Sequence, residues 1–244
     1  MKIPRQTEMP HKLALYSLLQ KLLSDPFITN NIYFKGGTCA AMLNYLDRFS
    51  IDLDFDLLDK SKKIQLRQSI HQVIKNLGYS IKDESRQHLQ FFLKYRDLKN
   101  ERNTLKLEIS DLVSKANQYQ KTYLIEIDKY CQAQTVQTMF ANKMVALKAR
   151  WEEGKGVAGR DMYDLHHFFK QGYAINQAVI VDLRKIPYLD YLSELIIFIK
   201  KNVSEQILYE DLNPLISKNK LSLVVPLIKS EVLIALNTLI KAKN

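Results

Sequence analysis

The chain has 244 residues, of which 46% are hydrophobic and 25% charged, the usual mixture of a folded globular protein. This composition excludes a disordered or fibrous chain. The chain has only two cysteines, which excludes a disulfide framework. Lys and Arg (36) exceed Asp and Glu (26) by ten, which favours a polyanionic partner such as nucleic acid, a nucleotide or an acidic lipid surface. No window holds the ~18 uninterrupted apolar residues of a membrane span, so we expect no membrane contact. The two cysteines without a disulfide framework favour a reducing cytoplasm.

The spacing of apolar residues predicts the elements in chain order. They are a helix at 13–23, a strand at 31–35, a helix at 38–46, a strand at 51–57, a helix at 62–77 and strands at 88–95 and 103–110. From about residue 136 onward, apolar residues recur three or four apart without strand alternation, which predicts helices only. We therefore expect an α+β fold in two domains. Residues 1–135 are the α+β domain, and residues 136–244 are the helical domain.

The stretch with the clearest chemistry is a glycine turn followed by two spaced aspartates. Gly36 and Gly37 lie between a predicted strand and a predicted helix, where backbone N–H groups bind phosphate well. The hydroxyl of Thr38 can add a bond there or cap the helix. Asp52 and Asp54 are two apart on a strand, so both side chains project from one face about 7 Å apart. Such carboxylates can hold one or two Mg²⁺ ions.

Each half of this pattern has an ordinary explanation when it stands alone. A Gly-Gly pair is typical of a plain turn, and Asp-x-Asp on a strand is typical of a solvated face. In this order and so close together, the two halves favour a Mg²⁺–nucleotide site, because neighbouring aspartates repel unless a cation compensates them. Asp56 continues the same face further along the strand.

The motifs Lys35-Gly-Gly-Thr38, Arg48-Phe-Ser50 and Asp52-Leu-Asp54 resemble the first motif of the AbiEii/AbiGii toxin family. These proteins have the nucleotidyltransferase fold of the polymerase-β-like superfamily. The resemblance implies that residues 1–135 are a nucleotidyltransferase-like domain, a small mixed sheet with flanking helices. It also implies that residues 136–244 are a helical bundle that completes the active-site cleft. It assigns to nucleotide binding the residues Lys35, Gly36, Gly37, Thr38, Arg48 and Ser50.

The superfamily also carries a third carboxylate on a neighbouring strand. Glu108, between two apolar residues in a strand-like run, is the natural candidate for this third metal ligand, and Asp111 is the fallback. The ordinary alternative for Glu108 is a surface residue of an edge strand. The expected metal ligands are therefore Asp52, Asp54 and Glu108.

A second stretch that resembles the family is Asn142–Arg150 followed by Arg160–Leu165. By helical spacing Lys143 and Arg150 share one face, as do Asp161 and Asp164. Lys143 is expected to reach phosphate, while Asp161 or Asp164 fixes it or activates an attacking hydroxyl. We therefore add Lys143 and Asp161 to the catalytic residues, and Lys143, Arg150 and Asp164 to the nucleotide-binding ones. The alternative is a structural ion-pair network that holds two helices together.

Together the motifs predict an enzyme that uses Mg²⁺, or Mn²⁺, to transfer a nucleotidyl group from an NTP to an acceptor. The resemblance implies a toxin of a toxin–antitoxin or phage-defence system, with the 3′ end of tRNA as acceptor and an antitoxin encoded nearby. An alternative is nucleotidylation or phosphorylation of a protein hydroxyl. A second alternative is a catalytically silent nucleotide- or RNA-binding module, against which the intact aspartate pair argues.

Overall fold

The computed structural model describes residues 1–96 and 102–242. Its strands are β1 (Ile32–Lys35), β2 (Asp52–Leu57), β3 (Ser80–Glu84), β4 (Leu89–Lys94), β5 (Thr104–Ser110), β6 (Tyr119–Leu124) and β7 (Lys129–Gln134). Its helices are α1 (Met9–Ser24), α2 (Pro26–Asn31), α3 (Gly36–Met42), α4 (Lys63–Asn76), α5 (Val136–Glu152), α6 (Gly159–Lys170), α7 (Gln177–Arg184), α8 (Tyr188–Asn202), α9 (Glu205–Leu212) and α10 (Lys218–Lys241). Short 3-10 turns occupy Gln6–Glu8 and Lys60–Lys62.

The chain divides into two compact units. The first contains residues 1–113 and 118–135, and the second contains residues 114–117 and 136–244. All the described strands belong to the first unit, whereas α5 to α10 belong to the second. The fold class is thus α+β, with a mixed sheet and flanking helices followed by a helical part.

The first unit is built on one sheet in the order β3-β4-β5-β2-β1-β7-β6. The central strand β2 runs antiparallel to β1 and parallel to β5. Along β2 the side chains alternate: Leu53, Phe55 and Leu57 are buried, and Phe55 stacks on Phe34 of β1. Strands β4 and β5 and helices α1, α2 and α4 add further large buried apolar side chains to this unit. The opposite face of β2 carries only aspartates, so one face of the sheet is core and the other is polar.

Most of the predicted elements are present, with small shifts of their ends. The predictions at 51–57, 62–77, 88–95 and 103–110 correspond to β2, α4, β4 and β5. The helix predicted at 38–46 instead begins at Gly36 and ends at Met42, because Asn44 takes a left-handed conformation with φ of 59°. Strands β3, β6 and β7 were not predicted.

The second unit consists of packed helices around a core of large apolar side chains. Helix α10 is, by length and composition alone, apolar enough to cross a membrane. Its middle, however, carries Lys229, which donates to the carbonyls of Lys200 and Val203. It also carries Glu231, whose carboxylate lies 2.6 Å from His166 Nε2 of α6. These bonds join α10 to its neighbours in the unit and favour a packed helix over a membrane span.

Candidate active site

Three aspartates in a row, Asp52, Asp54 and Asp56, lie on the polar face of β2. The register pairs Asp54 with Lys35 of β1 on one side and with Glu108 of β5 on the other. Because directly paired residues share a face of a sheet, the sheet brings the predicted ligand Glu108 beside the aspartates.

Asp56 is the aspartate whose carboxylate has an ion pair and hydrogen bonds with its neighbours. It is 1% exposed, and its Oδ1 lies 2.6 Å from the ammonium of Lys35. Its Oδ2 accepts hydrogen bonds from the hydroxyl of Tyr119 at 2.8 Å and from the amide of Gln134 at 2.7 Å. A buried carboxylate is stable only with such partners. Asp56 is therefore a support of the site that fixes the position of Lys35.

Glu108 also has partners of its own. Its Oε2 forms a short ion pair with Lys106, two residues earlier on β5, and accepts a hydrogen bond from Gln90 of β4 at 3.2 Å. Desolvation raises the pKa of Glu108, but the bonds from Lys106 and Gln90 outweigh it and leave the pKa below its usual value. Lys106 is therefore paired with Glu108 and not with the aspartates. The fallback Asp111 lies just beyond β5 and pairs with Lys63 at 2.8 Å.

Asp52 and Asp54 differ from these carboxylates. Within residues 1–96 and 102–242, the carboxylate of neither residue has a hydrogen-bonding or ion-pair partner. Burial, and next to it the charge of Asp52, raises the pKa of Asp54 to about 6, against a smaller opposing effect of Lys35. The nearby lysines are paired elsewhere, with Asp56 and with Glu108. The aspartate pair therefore carries two negative charges that no described cation pairs with directly.

This donor set suits a hard divalent cation. Two free carboxylates on one strand face supply the oxygen ligands that Mg²⁺ prefers, and their unmatched charge equals that of one such ion. Among the described residues, no three His, Cys, Asp or Glu side chains form a group ready to hold a metal. The carboxylates of Asp52 and Asp54 have no direct partner among these residues, whereas that of Glu108 is paired with Lys106.

The glycine turn lies directly against these groups. A Cβ at Gly36, which has a φ of +79°, would overlap the Asp54 carboxylate. A Cβ at Gly37 would come within 2.8 Å of Arg48 Nη2 and of Ser50 Oγ. Only glycine fits at both positions without a shift of its neighbours, because the side chains of Asp54, Arg48 and Ser50 fill the space that a Cβ would need. The three parts of the first sequence motif thus meet at one place.

The other side chains of this motif are buried supports. Thr38 is fully buried and donates its hydroxyl to the Asp52 carbonyl at 2.5 Å, so that proton neither caps α3 nor points to solvent. Arg48 is buried and donates to the Phe49 carbonyl at 2.9 Å, and Ser50 is buried against Gly37. Since α3 has only seven residues, any phosphate contact there depends on the glycine backbone more than on a helix dipole.

The residues of the second motif form a cluster of their own in the second unit. Lys143 of α5 lies 2.7 Å from Asp161 Oδ1 and 2.9 Å from Asp164 Oδ2 of α6. Both aspartates are buried, at 1% and 0% exposure. Asp161 Oδ2 accepts no hydrogen bond from the described residues, and its nearest cation is Arg150 Nε at 3.4 Å. Lys148 is separate and pairs with Glu194. The predicted lysine–aspartate association is therefore present.

Sequence reasoning missed the groups that hold the site together. Asp56 was placed on the right face but without its partners, because Tyr119 and Gln134 are 63 and 78 residues away. Lys106 could have been noticed, since Lys-x-Glu on a strand places both charges on one face. Nothing local marks Tyr119 or Gln134 as neighbours of Asp56.

The model of the family described as the nucleotidyl transferase AbiEii toxin of a type IV toxin–antitoxin system matches residues 17–223. The chain belongs to the AbiEii family. It is thus a nucleotidyltransferase of the toxin–antitoxin type, and the family implies an NTP substrate and a cognate antitoxin. No curated protein matches the sequence.

Two solved structures share the AbiEii fold seen here. JHP933 from Helicobacter pylori superposes with a TM-score of 0.57 at 22% identity, covering 99% of this chain and 94% of that one. MenT4, a nucleotidyltransferase toxin from Mycobacterium tuberculosis, gives a TM-score of 0.53 at 17% identity, covering 94% and 82%. At such identities the likeness shows the fold alone.

Proposed function

We propose that this AbiEii protein transfers a nucleoside monophosphate from an NTP to a hydroxyl at the 3′ end of an RNA, with tRNA as the favoured acceptor. The observation that carries the proposal is the pair Asp52 and Asp54, two unpaired carboxylates on a polar sheet face against a glycine turn. In the reaction the acceptor oxygen bonds to the α-phosphorus, the bond to the β-phosphate breaks, and pyrophosphate leaves.

Asp52 and Asp54 would hold Mg²⁺, or Mn²⁺, and Glu108 would join them after leaving Lys106. The metal would lower the pKa of the acceptor hydroxyl and neutralise the departing pyrophosphate. The chain's own groups orient the substrate: the backbone at Gly36 and Gly37 approaches the phosphates closely. Lys35, Thr38, Arg48 and Ser50 fix that backbone and the first aspartate in place.

For the cluster of the second unit we propose a part in the same reaction. Lys143 and the half-exposed Arg150 offer positive charge to the triphosphate, and Asp161 and Asp164 orient Lys143. The alternative is a purely structural ion-pair network. In that case a charge-preserving replacement of Lys143 would leave the transfer activity unchanged.

The RNA acceptor is supported by the basic excess of the chain, +10, which suits a polyanion. The proposal places the reaction in the cytoplasm, where tRNA, NTPs and an antitoxin encoded nearby would all be present. A protein hydroxyl is the competing acceptor, and the experiment below is designed to distinguish the two.

The test combines purified protein, Mg²⁺, each α-³²P-labelled NTP in turn and total tRNA, with Asp52→Asn/Asp54→Asn as the matched variant. The proposal predicts label in tRNA with one preferred NTP, dependent on Mg²⁺ and absent with the double variant. Label on protein instead would overturn the RNA acceptor. Label in tRNA that persists in the double variant would overturn the metal site.

A further inference from the structure

The polar face of the sheet continues beyond the aspartates to an exposed aromatic pair at the sheet edge. The β6–β7 register pairs Tyr119 with Gln134, Lys121 with Gln132 and Tyr123 with Tyr130. Tyr119 bonds Asp56 and its ring contacts Tyr33 at 4.7 Å. These paired side chains therefore lie on the same face as Asp52 and Asp54.

The pair itself consists of Tyr123 and Tyr130, whose ring centroids are 5.0 Å apart. They are 43% and 60% exposed, which is a large apolar surface to leave in water. The ammonium of Lys121 lies 5.0 Å from the Tyr130 ring centroid. Aromatic rings that alternate with cations are the usual means of binding unpaired nucleotides, whose bases stack on the rings while the cations meet the phosphates.

The acidic residues of this hairpin have partners. The Glu126 carboxylate pairs with the Met1 ammonium at 2.5 Å and accepts the hydroxyl of Tyr16. Asp128 accepts the hydroxyl of Tyr123 at 2.6 Å and so fixes the edge of that ring. The cation nearest the rings, Lys121, has no such carboxylate partner among the described residues, so its charge is available to a phosphate.

The distance from the rings to the aspartates suits a short single strand. Lys35 is opposite Asp54, and Phe34 is opposite Ala133, so Tyr130 lies four residues along and two strands across from Asp54. With ~3.3 Å per residue and ~4.8 Å between strands, the separation is about 16 Å. That is the length of about five nucleotides stacked at 3.4 Å. By register, Tyr33 and Gln132 lie on the same face between them.

We infer that Tyr130, Tyr123 and Lys121 bind the unpaired nucleotides that precede the 3′ end of a nucleic-acid acceptor, which then reaches Asp52 and Asp54 along the polar face. This inference rests on the proposed function and adds the surface that selects the acceptor. It predicts that the enzyme uses a 3′ end with several unpaired nucleotides and refuses a blunt duplex end. A cross-strand tyrosine pair can also serve only to stabilise its hairpin, so the test must separate stacking from folding.

The experiment measures transfer to, and binding of, a mixed-sequence single-stranded 12-nucleotide RNA, with a blunt RNA duplex as comparison. Tyr130→Thr removes the ring but keeps a strand-forming residue, and Tyr130→Phe keeps the ring. Tyr209→Ala, at an exposed tyrosine of α9 in the second unit, is the control. The expected result is about tenfold weaker binding and a tenfold higher KM for the 12-mer with Tyr130→Thr. The KM for NTP, kcat and the melting temperature should remain near wild type, and Tyr130→Phe and Tyr209→Ala should bind normally.

Three results would overturn the inference. The first is normal binding of the 12-mer by Tyr130→Thr. The second is a loss of 12-mer affinity in Tyr130→Phe as large as that in Tyr130→Thr. The third is transfer to the blunt duplex as efficient as transfer to the single strand. Lys121→Gln is a second variant that leaves the rings in place; it should lower the salt dependence of 12-mer binding, and an unchanged salt dependence would also count against the surface. Failure of the proposed function looks different, because wild type itself would then label no RNA.

Discussion

The ammonium of Lys35 lies 2.6 Å from the Asp56 carboxylate, although Asp54 is the residue directly opposite Lys35 in the sheet. Lys35 pairs with Asp56 and not with Asp54 because Asp56 is fully buried and accepts two further hydrogen bonds that fix its carboxylate in place. The consequence is that Asp54 remains without an ion pair. A metal site needs such free carboxylates, and here the free pair depends on a third aspartate that binds the neighbouring lysine.

Replacing Asp56 by Asn should therefore weaken metal binding, although Asp56 is not itself a proposed metal ligand. Asn keeps an oxygen for Tyr119 or Gln134 but releases Lys35, whose ammonium then pairs with Asp54. We expect the affinity for Mn²⁺, measured by electron paramagnetic resonance without NTP, to fall about tenfold, or about 1.4 kcal/mol. The double variant Asp56→Asn/Lys35→Gln should recover most of that loss. Unchanged Mn²⁺ affinity in Asp56→Asn would mean that Lys35 does not compete for Asp54.

The raised pKa of Asp54 predicts how stability changes with pH in the metal-free protein. The folded pKa of about 6 exceeds the ordinary value of 3.8, so between these pH values the folded state binds a proton that the unfolded state does not. The favourable contribution is thus present at low pH and lost as pH rises through 6. In EDTA at pH 7.5, Asp54→Asn should be more stable by about 1–2 kcal/mol.

The matching measurement is a thermal melt of wild type and Asp54→Asn at pH 7.5 and at pH 4.5. The difference should shrink at pH 4.5, because protonated Asp54 resembles Asn. Added Mg²⁺ at pH 7.5 should stabilise wild type and not the variant. A variant that is less stable than wild type at pH 7.5 without metal would show that Asp54 has a partner in the folded protein.

The glycine turn offers a prediction with a close control. Gly36→Ala places a methyl group against the Asp54 carboxylate at a φ of +79°, whereas Gly78→Ala has a similarly unfavourable φ of +69° with nothing within 4 Å. Both variants should lose about 1 kcal/mol of stability from the backbone conformation. Only Gly36→Ala should also lose transfer activity, by a hundredfold or more, because the aspartate must move. Equal activity in the two variants would contradict the close approach.

Lys143 distinguishes a catalytic cluster from a structural one. Lys143→Met should destabilise the second unit by about 3–5 kcal/mol, since it removes the ammonium that lies between two buried carboxylates, Asp161 and Asp164. Lys143→Arg keeps the charge, so stability should change by less than about 1 kcal/mol. If Lys143 contacts the triphosphate, the arginine variant still loses at least tenfold in kcat/KM for NTP. Normal kinetics of a stable Lys143→Arg protein would favour the ion-pair network alone.

The elements that sequence reasoning located are those with one buried face. Strands β2, β4 and β5 alternate buried and less buried residues, which gives the period of two that marks a strand. Strand β3 is exposed along nearly its whole length, and in β6 only Leu124 is buried. Without a buried face these strands have no apolar period, and only their pairing with β4 and β7 defines them.

The motif residues of the site were predicted for a similar reason: they are close together in the chain. Spacing placed Asp52 and Asp54 on one face and the turn beside them. It could not show that Lys35 is held by Asp56, or that Glu108 is held by Lys106, because those choices depend on burial and on distant partners. The sequence therefore predicts which groups gather at the site, while the structure shows which of them are free.

The most direct test of the central claim is to compare NTP labelled at the α-phosphorus with NTP labelled at the γ-phosphorus in one reaction with Mg²⁺, wild-type protein and total tRNA. Transfer at Asp52 and Asp54 as proposed predicts that α-label enters RNA, that γ-label leaves as pyrophosphate, and that Asp52→Asn/Asp54→Asn abolishes both. Incorporation of γ-label into RNA or protein would instead identify a kinase and contradict the account.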